Sequence, residues 1–345
     1  MIEIYPNDVL LFRESRDFSA GEGHVAVTTE PLPHTIAGAL MAVAFESGAF
    51  AILNLEGSND EVRKPENWRP GFSILGTFFA LNGSPVFSLP KDVVSVKGED
   101  GIEHLVPVEP AETPVGEVVV APVSDETRTL HFKPARCFVS ASELSRYLAG
   151  KLREFTEIDV GRVYTLEERI GIGLTEGKVT EEGLLYRTLN LRMSKEASIQ
   201  VYFEENEEGL ISAIGKEGLI KLGGESRFAR FVHVERDFPF SGTLHVEKGS
   251  MMRLYFATPL IPNGSLESLL REMGINADVV RVFTDRKVRV TGWDMMAKMP
   301  KATLYAYPAG TVVWLRAIED LEVERVQKAG LMREFGYGLT IAGEF

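Results

Sequence analysis

Strand-type runs fill most of this chain, helical spacing interrupts them in only a few places, and no regular β-α alternation joins the two. That pattern excludes a doubly wound parallel sheet and specifies an α+β fold. β-Branched and large apolar residues open the chain as a strand pair at Ile2–Phe12, broken at Pro6-Asn7-Asp8. Phe72–Leu81 and Pro85–Leu89 flank Asn82-Gly83, a dipeptide that favours a tight hairpin turn. Further strands are expected at Arg169–Leu174, Leu184–Met193, Ile199–Glu204, Leu219–Leu222, Ala229–Glu235, Ser250–Ala257, Val279–Thr291 and Thr311–Ala317.

Helices are expected at Ile36–Ser47, between a Thr35 cap and Gly48, and at Ser140–Leu152, where Leu144, Leu148 and Leu152 recur at helical spacing. Others are expected at Glu207–Gly215, Leu266–Met273 and Glu324–Glu334. The polar, proline-containing segment Glu56–Gly71 reads as an insertion loop. Each half then holds the inventory of a β-α-β-β-α-β unit, the ferredoxin-like (RRM-like) arrangement, with additions. At about 150 residues per domain, 345 residues favour two. The change of pattern near Thr156 places them at 1–157 and 158–345, the second carrying a glycine-rich loop.

Charge narrows the function. A net charge of −13 argues against a protein that binds nucleic acid with its whole surface, but permits a local basic groove. One such stretch exists: Arg281, Arg286, Lys287, Arg289, Lys298 and Lys301 face only Asp285 and Asp294 in sequence. The single cysteine, Cys137, permits no intrachain disulfide and no cysteine-rich zinc site. No basic segment precedes an apolar stretch at the start, and the apolar run Ile36–Phe45 is too short to span a bilayer. A cytoplasmic protein with no membrane partner is expected.

No catalytic constellation stands out. His24, His34, His104, His131, His233 and His245 include no pair at metal-ligand spacing, and no nucleophile elbow occurs. Gly171-Ile172-Gly173 with Gly177 fails as a dinucleotide fingerprint, because its third glycine is one position late and no helix start follows. No catalytic residue, metal or cofactor is therefore expected. Leu222-Gly223-Gly224-Glu225-Ser226-Arg227 is more informative, since paired glycines let backbone amides approach a ligand, with Arg227 and Arg230 just beyond. Phe335-Gly336-Tyr337-Gly338-Leu339 places an aromatic between glycines, suited to a stacking platform or a strand bulge. Gly292-Trp293-Asp294 with Lys298 and Lys301 joins an aromatic to cations.

The order of these pieces resembles a family. Arg13-Glu14-Ser15-Arg16-Asp17-Phe18-Ser19-Ala20-Gly21 and Pro31-Leu32-Pro33-His34-Thr35-Ile36-Ala37-Gly38-Ala39-Leu40 are similar to the N-terminal signature of subunit three of the Cmr complex, in the RAMP superfamily. Glu168-Arg169-Ile170-Gly171-Ile172 and Leu185-Tyr186-Arg187 resemble its central segment. Leu222-Gly223-Gly224-Glu225, Gly292-Trp293-Asp294, Pro308-Ala309-Gly310 and Gly336-Tyr337-Gly338-Leu339 complete a series that spans the chain. Met41 stands where the family pattern has a basic residue, which weakens the expectation of an RNA contact there.

The resemblance implies two ferredoxin-like domains of the RAMP fold in a non-catalytic subunit of a type III-B CRISPR effector complex. Such a subunit holds the repeat-derived 5′ tag of the CRISPR RNA (crRNA), beside the large polymerase/cyclase-like subunit and adjacent backbone RAMP subunits. A tag of fixed sequence can be held by stacking unpaired bases on aromatics and bonding phosphates to cations and glycine amides. The expected contacts are Arg13, Arg16, His34, Arg227, Arg230, Lys298 and Lys301, with Gly223, Gly224, Gly336 and Gly338 allowing close approach and Tyr337 or Trp293 stacking. Two rivals differ in class. One is a metal-independent RAMP endoribonuclease with His34 as general base; the other is a scaffold that touches only protein.

Overall fold

The computed structural model of the protein describes residues 1–12, 25–26, 30–49, 70–97, 103–113, 116–120, 133–174, 180–294, 299–300 and 302–345. The chain opens with β1 (Ile2–Pro6) and α1 (Pro33–Glu46), followed by the hairpin β2 (Ser73–Leu81) and β3 (Ser84–Ser88). Asn82 and Gly83 take φ values of 52° and 74°, the left-handed pair that a two-residue turn requires. Next come β4 (Phe138–Ser140), α2 (Ala141–Leu148) and a long hairpin of β5 (Tyr164–Leu174) and β6 (Thr180–Met193). β7 (Ala197–Glu205), α3 (Glu207–Ile214), β8 (Glu217–Lys221) and β9 (Phe228–His233) then return to the first sheet.

That sheet has seven antiparallel strands in the order β4-β3-β2-β7-β1-β9-β8. β7 lies between β1 and β2, so a division at 157/158 would cut hydrogen-bonded neighbours apart. The physical reason is that strands far apart in sequence complete one buried face. Ile2, Ile4, Ile74, Ile199, Val201, Ala229 and Phe231 all reach one core, closed by Ile36, Leu40 and Ala44 of α1 and Leu210 and Ile211 of α3.

The second sheet repeats the pattern in shorter form. β10 (Met251–Phe256), α4 (Leu266–Glu272), β11 (Ala277–Phe283), the small hairpin β12 (Val288–Val290) and β13 (Leu304–Ala306), β14 (Val312–Ala317), β15 (Val326–Lys328) and β16 (Leu339–Glu344) follow in turn. Five of these strands pair antiparallel in the order β11-β14-β10-β16-β15. Leu269 and Leu270 of α4 cover its outer face at Met252, Leu254, Val313 and Leu315. Between the sheets lies a third core, where Phe78, Phe87 and Tyr202 of the first meet Tyr255, Trp314 and Ile341 of the second. The layers therefore run helix, sheet, sheet, helix.

One buried polar cluster ties the insertion after β3 to the second sheet. Asp92 accepts hydrogen bonds from the Tyr147 hydroxyl at 2.5 Å and Trp314 Nε1 at 2.9 Å, and Arg253 Nε lies 3.5 Å away. The Arg253 guanidinium packs over the rings of Tyr147 at 4.3 Å and Phe345 at 3.6 Å. Cys137 is buried nearby, its thiol pushed up to about 12 by burial, and so is an inert core side chain.

Several local expectations change. The helix expected at Glu324–Glu334 is absent: Leu321–Glu324 and β15 are strands, and only Arg333–Phe335 turns as a 3₁₀ helix. Leu321 and Val323 are buried while Glu322 and Glu324 are exposed, a period of two that marks a strand. α1 begins at Pro33, not Ile36, because proline suits the first helical turn, where its missing N–H costs nothing. Ile2–Phe12 holds one strand, with Leu10 contributing an isolated bridge to Leu191. Val279–Thr291 divides into β11 and β12. Met41 is buried in the first core and presents no cation or polar group. The Glu56–Gly71 loop lies outside the described residues except for Pro70 and Gly71.

Candidate nucleic-acid interface

The glycine pair after β8 packs on the chain itself. Gly223 has a φ of +80°, and a Cβ there would sit 2.6 Å from the Leu11 carbonyl oxygen. The Gly224 amide donates to that same oxygen at 2.7 Å. The close approach that these glycines permit is therefore to Leu11, and the Gly224 amide is already used. Just beyond, Arg227 joins a network of ion pairs. Asp8 receives Arg169 at 2.9 Å and Arg192 at 3.0 Å, with Arg227 at 3.8 Å. Glu167 takes Arg169 at 2.8 Å and Arg192 Nε, while Glu225 takes Arg227 at 2.9 Å.

Three cations thus meet three carboxylates at the root of the long hairpin. Hydrogen bonds from Arg192 and then Arg169 pull the Glu167 carboxyl down to about 2. Slight burial pushes Asp8 upward, but hydrogen bonds and charge from the same two arginines outweigh it and hold the carboxyl below its ordinary value. The Arg227 Nε is buried without a hydrogen-bond partner. Arg230, three residues on and within β9, pairs with Glu217 at 2.9 Å on an exposed face.

The second glycine stretch differs from its expected role. Tyr337 is fully buried, with its hydroxyl 2.7 Å from His34 Nδ1 and the two rings stacked at 6.0 Å. It is a core residue and offers no face for a nucleobase. Burial pushes its hydroxyl pKa strongly upward. The Gly336 amide donates to the Arg333 carbonyl and the Gly338 amide to the Pro259 carbonyl, each at 2.9 Å. Their positive φ values, +96° and +75°, serve a tight internal turn in which a Cβ at Gly338 would overlap the Ala329 carbonyl oxygen.

Trp293 lies in a two-residue strand whose backbone pairs with Pro300, beyond the β12–β13 hairpin. Arg13, Arg16, Lys298 and Lys301 lie outside the described residues. On β12–β13, Val288, Val290, Leu304 and Ala306 pack inward on the first core. Arg289 and Tyr305, which pair across the ladder, point outward, and Lys287 Nζ lies 5.2 Å from the Tyr307 ring centroid. A separate open cleft of about 710 Å³ between the sheets carries Glu204, Glu205, Glu324 and Glu334 against Lys328 and Arg333, an unfavourable lining for phosphates.

Among the described residues, no group of three or more His, Cys, Asp or Glu side chains is placed to hold a metal ion, and no helix is long and apolar enough to cross a membrane. The fold is a mixed α/β protein of mostly antiparallel sheets with few helices. The profile of the CRISPR-associated protein family Cas_Cmr3 matches residues 2–345, and the chain belongs to that family. The ordered motifs of the sequence thus lead to the family that the whole chain matches. A cryo-EM structure of the type III-B Cmr-beta complex bound to cognate target RNA and AMPPnP contains a similar chain: 19% identity, 91% of this chain and 85% of that one covered, TM-score 0.52. A second structure of the complex bound to cognate target RNA aligns over 91% of this chain and 86% of its own, at 19% identity and TM-score 0.49. No curated protein matches the chain.

Sequence reasoning missed the acids that hold the arginines, Asp8 and Glu167, because their partners lie over 150 residues away or across a hairpin ladder. It also missed Tyr305 and Tyr307. Their Tyr-x-Tyr spacing opposite Lys-x-Arg is the two-residue alternation of a hairpin with one outward face.

Proposed function

We propose that this chain is a non-catalytic subunit of a type III-B CRISPR effector complex that holds the 5′ tag of the crRNA and docks on the large polymerase/cyclase-like subunit. The observation that carries the reading is the family match from residue 2 to residue 345. The repeated strand order supports it. In the first sheet β2-β7-β1-β9, and in the second β11-β14-β10-β16, place the second, third, first and fourth strands of each unit side by side. That is the order of a ferredoxin-like unit, and we divide the chain accordingly at residues 2–233 and 251–344. The second unit has strand and 3₁₀ structure in place of its second helix.

RNA contact falls to Arg227 and Arg230 at the rim of the glycine loop, with Trp293 and the neighbouring Lys298 and Lys301 as a second contact; Arg13 and Arg16 complete the set. The paired arginines would exchange a carboxylate for a phosphate, which suits a guanidinium's fixed fork. The enzymatic rival finds little support at His34. On its Nδ1 side the imidazole meets the enclosed Tyr337 hydroxyl at 2.7 Å, and burial pushes that hydroxyl's pKa strongly upward, so a tyrosine stands where a carboxylate would orient a general base. A cytoplasmic setting and adjacent RAMP subunits as partners follow from the same reading.

The test changes Arg227 and Arg230 together to Ala and measures retention of tagged crRNA in the assembled complex. Retention is expected to fall at least tenfold while assembly stays intact, by analogy with losing two charge-assisted contacts of about 1.5–3 kcal/mol each, part of which is already balanced by carboxylates. Unchanged retention removes both arginines from the site. Metal-independent cleavage of repeat RNA, abolished by His34→Ala, would replace the whole reading with the nuclease.

A further inference from the structure

The small hairpin β12–β13 has an outward face that no fold requirement explains. Its inward residues, Val288, Val290, Leu304 and Ala306, already satisfy the core. Outward, Tyr305 is 54% exposed, a large aromatic that buries little on its own chain. It sits directly across the ladder from exposed Arg289, and the next position places Lys287 over Tyr307 at 5.2 Å. Tyr307 in turn is fixed edge-on against Phe256, with ring centroids 5.9 Å apart. The platform is therefore packed against the second sheet on its inner side. Arg281 and Arg286 lie close in sequence, and Asp285 beside them is engaged by Lys91 at 3.6 Å and by the Arg286 amide at 2.7 Å.

We propose that this face, Lys287, Arg289, Tyr305 and Tyr307, binds a short unpaired run of RNA, stacking a base on Tyr305 and neutralising the flanking phosphates with Lys287 and Arg289. The inference rests on the reading of the chain as a crRNA-holding subunit and gives that reading a second, aromatic contact surface. Residues two apart on one strand lie about 7 Å apart, the scale of one step along an extended single strand. Rings at that spacing along one strand, each facing a cation on the other, suit successive bases with their phosphates alongside, and stacking on a ring tolerates any base. An acidic protein segment would use the cations but gain little from an exposed tyrosine ring.

The first sheet offers an instructive contrast. One of its faces also shows Tyr5, Leu219 and Phe228 exposed, with Arg230 among them paired with Glu217 at 2.9 Å and Lys221 Nζ 6.0 Å from the Phe228 ring centroid. There the aromatics stand among cations of which one is already balanced by a carboxylate, whereas on the hairpin each of two rings faces a cation across the ladder. The hairpin carries the local positive field of a chain that is otherwise strongly acidic.

The experiment assembles the full chain into its effector complex with a guide RNA carrying 4-thiouridine at each tag position in turn, then maps crosslinked peptides. Crosslinks to residues 303–309 are expected. Tyr305→Ala is expected to lower their yield at least fivefold, the low end for one base-stacking contact, whereas Tyr305→Phe retains it. Excess polyglutamate is expected to leave the yield unchanged. Crosslinks confined to other segments of this chain overturn the hairpin inference and leave the tag-holding reading standing. No crosslink anywhere on the chain overturns both. Loss of crosslinks to polyglutamate, or equal yield from Tyr305→Ala, assigns the face to an acidic protein partner and overturns the inference.

Discussion

Two clusters of arginine and carboxylate do opposite things in this molecule. Around Asp92, one carboxylate, one guanidinium, a tyrosine and a tryptophan are sealed between the sheets. Around Asp8, three arginines and three carboxylates share the surface at the root of the long hairpin. In the buried cluster every group has lost its water, so each depends on the others and none can leave cheaply. In the surface cluster each charge keeps part of its hydration, so a partner can be exchanged for a ligand at small cost. Burial, not the number of ion pairs, separates the cluster that holds the fold from the one that can serve binding.

The largest expected effect tests the first half of that contrast. Asp92→Ala leaves Arg253 buried beside an empty position and strips an acceptor from Tyr147 and Trp314. Breaking a buried pair in this way costs about 3–5 kcal/mol, which urea unfolding of the full chain reads as a large drop in midpoint. Arg192→Gln in the surface cluster is expected to move the midpoint by far less. Comparable shifts for the two substitutions would erase the distinction.

A smaller effect follows from acid titration. The Glu167 carboxyl is held at about 2, below its ordinary 4.5, chiefly by Arg192 and Arg169. A carboxyl depressed in the folded state contributes stability that is fully present above 4.5 and lost as pH falls through about 2. Carbon NMR of labelled glutamate is expected to show this residue titrating near 2 in the native chain. Replacing both arginines with Gln is expected to return the midpoint toward 4.5. A native midpoint near 4.5 would mean that water, not arginine, dominates its surroundings.

Much of the architecture was legible because local signals agree with global ones. Asn82-Gly83 makes the turn that its residues favour, Ser140 caps its helix through the Glu143 amide, and Ser265 caps α4 through the Ser268 amide. The pairing of distant strands was less legible. β7 joins β2 only after more than a hundred intervening residues, and no local pattern reports which distant edge a strand will join. The site was half legible. Glycines with positive φ and nearby arginines were visible, but whether a glycine admits a ligand or the chain's own carbonyl depends on what packs opposite, here Leu11 and Ala329. In sequence Tyr337 between glycines suits either a stacking platform or a strand bulge, and those glycines turn the chain so that the ring enters the core.

The smallest effect on stability is the sharpest test of function. Asp8 is the common acceptor of Arg169, Arg192 and Arg227, and Asp8→Asn removes one negative charge while keeping a hydrogen-bonding oxygen in place. The surface position predicts a stability change within about 0.5 kcal/mol. Three guanidinium groups then face two carboxylates, and the site gains a net positive charge where the tag is proposed to bind. Binding of single-stranded tag RNA to the complex is expected to tighten, with a salt dependence steeper by about 0.7 in the log-log slope, the release of one more counterion. Should the Asn variant lose stability as the Asp92 variant does, the surface cluster would be structural cement like the buried one. Should it bind RNA with an unchanged slope, the arginines would hold the hairpin root and nothing more, and the contact would fall to the cations on β12–β13.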